Sequence, residues 1–300
     1  MAGKSKGERL LLALDGSDAA FETVKYVSRM DPLKSIQMLL FAVFSKIRES
    51  YWDLEKEPVY NRKLGEIRAW ETRRETELED YMRKAKKILL DSGFPKESVD
   101  IKLHERNKGI ARDIINEAKK GYDALVVGRK GVSRVRGIVL GSVATKLLEG
   151  ISTIPVWMIG RGPRPKKILI ALDGSEGSLR AVDYVGALLG GFQYEISLTN
   201  VMRDEEKDRI AKVEHFTARA FDDAIERLTV SGIARTRIST QVITGAPSRA
   251  QAIVKEATQG GYGTIVVGKR GLSDVRDFHM GTVTGKVVQL ATGQAVWVVN

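Results

Sequence analysis

The sequence predicts an α/β protein built as two doubly wound, five-stranded parallel sheets in tandem, each with strand order 3-2-1-4-5. Three observations carry this expectation. First, the 300-residue chain repeats itself: Leu10-Leu11-Leu12-Ala13-Leu14-Asp15-Gly16-Ser17 returns as Ile168-Leu169-Ile170-Ala171-Leu172-Asp173-Gly174-Ser175, and Ile154-Pro155-Val156-Trp157 returns as Gln294-Ala295-Val296-Trp297. A period this long means two copies of a domain rather than a solenoid of short units. Second, each copy alternates short aliphatic runs with helical patterns, the mark of a parallel sheet covered on both faces. Third, each copy has a glycine-rich link after its fourth aliphatic run.

In the first half, strands are expected at 9–15, 35–44, 98–104, 122–128 and 154–159. Helices are expected at 17–30, about 66–92, 109–120 and 142–151. In the second half the strands recur near 166–173, 194–201, 236–243, 263–268 and 295–299. Arg161-Gly162-Pro163-Arg164-Pro165 reads as a linker between a domain at 1–160 and a domain at 166–300. The offset between copies is 158 at Val43 and Val201 but 139 at Ser92 and Ser231, so the first half carries 19 additional residues between Val43 and Ser92. That stretch is charged. Glu79 with Arg83, and Asp80 with Lys84, have the acid-first i,i+4 spacing of a solvated helix. Trp52, Tyr60 and Trp70 are expected to pack the insertion onto its domain, with cover for a partner site as the alternative. Strand 5 is a sheet edge in each half, and exposed edges invite pairing. Val156-Trp157-Met158 and Val296-Trp297-Val298 are therefore expected to pair antiparallel, so that one chain forms a pseudo-dimer; further association into a homo-oligomer is open.

Composition narrows the chemistry. A hydrophobic content of 43% suffices for two ordinary cores. The chain has no cysteine, which excludes disulfides, thiol catalysis and cysteine-based metal centres. A short polar start and the lack of a bilayer-length apolar run suggest a soluble, cytoplasmic protein without a membrane partner. The net charge is +11, which attracts polyanions in general. The bases are interspersed with acids and aromatics are only 7%, so no specific nucleic-acid platform is expected. His104 and His215 lack partners at metal-ligand spacing, and no metal site is expected from them.

The chemistry-bearing pattern occurs twice. Gly128-Arg129-Lys130-Gly131 is followed by nine residues and Gly141-Ser142-Val143; Gly268-Lys269-Arg270-Gly271 is followed by nine residues and Gly281-Thr282-Val283. Glycines let backbone N–H groups approach an anion, and the start of the following helix adds partial positive charge. In a 3-2-1-4-5 sheet, strands 1 and 4 flank the switch point where ligands bind. Asp15 and Gly128 therefore converge on one crevice, and Asp173 and Gly268 on another. The same residues admit a plainer structural account, in which Asp-Gly-Ser is a turn with Ser17 or Ser175 capping a helix. The spacing fits neither the phosphate-binding G-x-x-x-x-G-K-[ST] loop nor the dinucleotide G-x-G-x-x-G fingerprint. Arg129, Lys130, Arg134 and Arg136, with Lys269, Arg270 and Arg276, are loop cations that could screen phosphate. His279 is a lesser candidate.

The G-x2-G-x9-G-[ST] pattern after strand 4, joined to the strand-1 aspartate, resembles the ATP-binding branch of the universal stress protein family over essentially the entire chain. The resemblance implies an adenine nucleotide alpha hydrolase-like fold and ATP as ligand. It assigns the adenine side to Asp15 and Val43, and to Asp173 and Val201. It assigns the phosphates to Gly128, Gly131, Gly141, Ser142 and Val143, and to Gly268, Gly271, Gly281, Thr282 and Val283. A triphosphate could bring magnesium, held through one carboxylate and waters, with Asp15 and Asp173 nearest. The family's glycine–proline turn between strand 3 and helix 3 is present as Gly245-Ala246-Pro247, but the first half has Arg106-Asn107-Lys108-Gly109. Related hydrolases use Ser-Gly-Gly-x-Asp-Ser after strand 1; Asp-Gly-Ser stands here. The expected function is an ATP-dependent switch in stress adaptation. A slow ATPase or self-phosphorylating protein acting through Ser142 or Thr282, and a nucleotide-independent interaction module, are the alternatives.

Overall fold

The computed structural model describes residues 9–46, 58–129, 140–162, 164–203, 210–271 and 280–300, with the backbone alone for 58–68 and 210–216. The first half runs β1 (Arg9–Ala13), α1 (Asp18–Ser28), β2 (Gln37–Phe44), α2 (Pro58–Asp91), β3 (Val99–Glu105), α3 (Ile110–Ala118), β4 (Ala124–Gly128), α4 (Ser142–Gly150) and β5 (Val156–Ile159). The second half runs β6 (Lys167–Ala171), α5 (Glu176–Leu189), β7 (Glu195–Arg203), α6 (Ile210–Val230), β8 (Ile238–Ala246), α7 (Arg249–Gln259), β9 (Thr264–Gly268), α8 (Thr282–Leu290) and β10 (Ala295–Val299).

The strands are hydrophobic on both faces because both faces are covered. Leu10 and Leu12 belong to one core, which also takes in Val24 of α1, Met82 of α2, Val182 of α5 and Leu228 of α6. Leu11, between them, belongs to the other, which takes in Ile114 of α3, Leu147 of α4, Ile253 of α7 and Val287 of α8. Each of these two cores runs through both halves. Within each half the strand order is the expected 3-2-1-4-5, all parallel. The two sheets are not separate, however. They join as one ten-stranded sheet, β3-β2-β1-β4-β5-β10-β9-β6-β7-β8.

The joint is the antiparallel pair β5–β10, with Val156 opposite Val298, Trp157 opposite Trp297 and Met158 opposite Val296. The register is symmetric about the tryptophan pair. The indoles stack at 4.1 Å between ring centroids and 8° between planes. Tyr184 meets both rings edge-on and Tyr26 meets Trp157 edge-on. The Tyr26 hydroxyl reaches across to the Thr264 hydroxyl at 2.7 Å. Both tryptophans are fully buried.

The insertion turns mostly into helix. α2 has 34 residues where its counterpart α6 has 21, and it opens at Pro58, a residue suited to the first helical position. Its C-terminal part is anchored in the core through Tyr81, Met82, Ala85 and Leu89. Arg83 takes both nearby acids, Asp80 at 2.8 Å and Glu79 at 3.5 Å, so the expected Asp80–Lys84 pairing gives way to a shared one. Trp70 does not pack the insertion onto the domain as expected. It is 53% exposed, with the Arg74 guanidinium 5.5 Å from its ring. Trp52 lies outside the described residues.

The tryptophan seam sets a stability expectation. Trp157→Ala and Trp297→Ala should each cost about 3–5 kcal/mol in denaturant unfolding, the usual range for a buried large aromatic. The double mutant should lose less than the sum, by about 0.5–3 kcal/mol, because each substitution already removes the other's partner. A strictly additive cycle would show that the rings do not act as a unit.

Candidate functional site

The crevice is built first by the turn that ends strand 1. Asp15 Oδ1 accepts hydrogen bonds from Ser17 N (3.1 Å) and Ser17 Oγ (2.6 Å). Asp173 Oδ1 accepts the same pair from Ser175, at 3.0 and 2.5 Å. The serine oxygen then caps the next helix, Ser17 Oγ from Ala20 N and Ser175 Oγ from Ser178 N, both at 3.2 Å. Gly16 and Gly174 make the turn possible with φ of +80° and +76°, where a side chain would strain the backbone. One carboxylate oxygen of each aspartate is thus committed to helix entry, as the structural account of Asp-Gly-Ser expects.

The other oxygen faces the glycine-rich loop in the second half. A methyl group built on Gly271 would lie 2.6 Å from Asp173 Oδ2. Strand 1 and the strand-4 loop therefore meet where the topology requires. The loop also presses on α5. A Cβ on Gly268 would sit 2.6 Å from the Gly177 carbonyl carbon, and one on Gly177 would sit 2.3 Å from Arg270 O. The first-half counterpart of Gly177 is Ala19, so that half cannot repeat so close an approach. Gly131, Lys130, Arg134, Arg136, Arg276 and His279 lie outside the described residues.

Both loops close in the same way. Gly141 N donates to Arg129 O at 2.9 Å, and Gly281 N donates to Lys269 O at 2.8 Å. Gly141 and Gly281 then serve as N-caps of α4 and α8 without any side-chain cap, and neither first turn holds an acid. First-turn N–H groups have no partner within a helix. Ser142 and Thr282 are exposed at these starts, and Val143 and Val283 are half-buried behind them. The arrangement offers N–H groups, a hydroxyl and the positive helix end to an anion.

The strand-2 valines lie near the carboxyl ends of β2 and β7. Val43 is half-buried opposite His104, and Val201 is buried opposite Ile243. His104 stacks on Phe41 with ring centroids 5.6 Å apart. Val201 O already accepts from Arg249 Nε at 3.2 Å.

The rims differ between halves. In the second, Gly245-Ala246-Pro247 leads to Ser248, whose oxygen faces Gln251 N at 3.5 Å. In the first, the buried Asp113 carboxylate gathers three successive backbone donors: Asn107 N at 2.9 Å, Lys108 N at 3.1 Å and Gly109 N at 3.3 Å. Burial by itself would raise its pKa. The three N–H donors, with His104 nearby, outweigh burial and hold the carboxyl below its ordinary value. The helices align with Ile114 on Ile253 and Glu117 on Glu256, which places Ala252 at this position in the second half, and a charge replacing a small apolar residue is the signal that could have singled out Asp113.

Two of the expected phosphate-screening cations point elsewhere. Arg129 and Lys269 are buried, and their side chains reach carbonyls of the opposite half, Gln289 O and Ile151 O. Burial draws the Arg129 guanidinium down to about 10. Burial, then the charge of Arg270, lowers Lys269. Arg270 is exposed. No cluster of three or more metal-ligating side chains occurs among the described residues, and no helix among them is long and apolar enough to cross a membrane. A groove of about 510 Å³ lined by Lys167, Glu195, Arg237 and Tyr262 lies at the amino ends of β6–β9. That is the wrong end of the sheet for a switch-point ligand.

Comparison with known proteins agrees with this architecture. The model of the universal stress protein family matches residues 7–160 and again 165–300. Universal stress protein YxiE of Bacillus subtilis is 31% identical over 143 residues, covering 42% of this chain and 93% of its own length. A universal stress protein from Archaeoglobus fulgidus matches in fold over 99% of both chains, with 18% identity and a TM-score of 0.66. A protein of unknown function from Pseudomonas aeruginosa matches over 98% of this chain and 92% of its own, with 14% identity and a TM-score of 0.56. With its family model matching both halves, the chain belongs to the universal stress protein family.

Proposed function

We propose that this chain is an ATP receptor, a nucleotide-dependent switch in stress adaptation that works in the cytoplasm. Each half, 1–160 and 166–300, is one nucleotide-binding domain, and the chain stands in for a dimer of single-domain proteins. The observation that carries the reading is the duplicated loop closure, Gly141 N to Arg129 O and Gly281 N to Lys269 O. It leaves two glycine-capped, acid-free helix starts beside the strand-1 aspartates. Asp15 and Val43, and Asp173 and Val201, take the adenine side. Gly128, Gly141, Ser142 and Val143, with Gly131, and Gly268, Gly271, Gly281, Thr282 and Val283 take the phosphates. ATP supplies several anionic groups for these N–H donors, which favours it over AMP. A magnesium ion accompanying it would find its nearest carboxylates in Asp15 and Asp173.

Catalysis is not what the motif is equipped for. Hydrolysis needs a residue that takes a proton from water, and phosphoryl transfer needs dense electrostatic stabilisation. The two glycine motifs share no carboxylate or histidine.

Two measurements test this reading. Calorimetry should detect ATP binding, and Gly131→Val with Gly271→Val should abolish it, since a side chain at Gly271 collides with Asp173 in the crevice. Unchanged ATP binding by the folded double mutant would refute the site. Steady-state turnover should fall far below the roughly 1–10³ per second of dedicated enzymes, and Ser142→Ala or Thr282→Ala should leave it unaltered. Rapid turnover lost in either variant while binding persists would identify an enzyme instead.

A further inference from the structure

The residue after each strand-4 glycine is bound twice, once within its own half and once across the seam. Arg129 O accepts the N–H of Gly141, the cap of α4. Its Nη2 donates across the molecule to Gln289 O, in the last turn of α8, at 3.0 Å. Lys269 O accepts the N–H of Gly281, the cap of α8. Its Nζ donates to Ile151 O, just beyond the last turn of α4, at 2.5 Å. The two positions are equivalents in the repeat, and their acceptors are the same end of the same helix in the opposite half.

The chemistry suits a grip. Carbonyls at a helix carboxyl end lack intrahelical donors, and that end carries partial negative charge. The expense is considerable. Arg129 and Lys269 are 4% and 7% exposed, and neither has a carboxylate partner among the described residues. Arg129 Nη1 is buried without any hydrogen-bond partner. Removing a cation from water carries a desolvation penalty, which an apolar residue filling the same space would avoid. What the cations provide, and an apolar residue would not, is a directed link between one glycine loop and the far end of the helix that starts the other cleft. α4 and α8 are nine residues each, short enough to move as rigid bodies. Fixing the loop in one half fixes its cation, which fixes the helix whose amino end faces the other cleft.

We propose that Arg129 and Lys269 are positioning residues that couple the two clefts, so that ATP in one half raises the affinity of the other. This rests on the ATP-receptor reading above. The unmodified chain should bind two ATP with a Hill coefficient above one, a readout that requires no variant to fold. Lys269→Met severs the hold on Ile151 and leaves the glycines of both clefts intact. The second ATP should then bind at least about fivefold more weakly than it does to the unmodified chain, the lower end of usual coupling, and the Hill coefficient should fall to one. Lys269→Arg, which keeps the donor, should hold the second affinity within about twofold of the unmodified chain. Two ATP bound by the unmodified chain with a Hill coefficient of one, or second-ATP affinity unmoved by Lys269→Met, would overturn the coupling and leave the receptor reading intact. Failure of the unmodified chain to bind ATP would instead bring down the receptor reading, and the coupling with it.

Discussion

The antiparallel pairing of β5 with β10 is the contact on which the rest of the molecule depends. A doubly wound sheet has two edges, and the strand-5 edge of each half is short, aliphatic and centred on a tryptophan. Pairing those edges gives their backbone N–H and C=O groups partners and continues both hydrophobic cores from one half into the other. Because the register is symmetric about Trp157 and Trp297, α4 and α8 come to lie beside the seam with their carboxyl ends within reach of the opposite strand-4 loop. The crossed contacts of Arg129 and Lys269 follow from that placement.

The duplication is close in backbone and uneven in side chains. The Asp-Gly-Ser turn, the loop closure and the uncapped helix starts recur with distances matching to about 0.1 Å. The rims have diverged. Asp113 draws three backbone donors inward in the first half, where the second has Ala252 and a glycine–proline turn. Ala19 occupies the place where Gly177 lets α5 touch the second loop. Differences of this size at the edge of otherwise equal crevices leave the fold that makes them unaltered.

Much of this was legible in the sequence because its signals are local. Short β-branched runs such as Leu125-Val126-Val127, closed by a glycine, favour strands buried on both faces, and Asp-Gly-Ser encodes its own turn and cap. The edge register was legible from matching Trp157 with Trp297. What escaped notice depends on distant neighbours. α2 begins at Pro58 rather than near 66, since Glu55-Lys56-Glu57 offers no capping side chain of the usual kind before it. Trp70 is an aromatic that local sequence places against the domain, yet it is 53% exposed. Arg129 and Lys269 read as solvated loop cations, since nothing in the local sequence says that a helix end from the other half lies beside them.

The starts of α4 and α8 are the proposed holders of the phosphates of an adenine nucleotide. A crystal structure of the chain grown with ATP should show nucleotide in the switch-point crevice, with phosphate oxygens on the N–H groups after Gly281 and Gly141 and adenine toward Val201 and Val43. ATP lodged instead at the opposite end of the sheet, among Lys167, Arg237 and Tyr262, or crevices without nucleotide at saturating ATP, would contradict it.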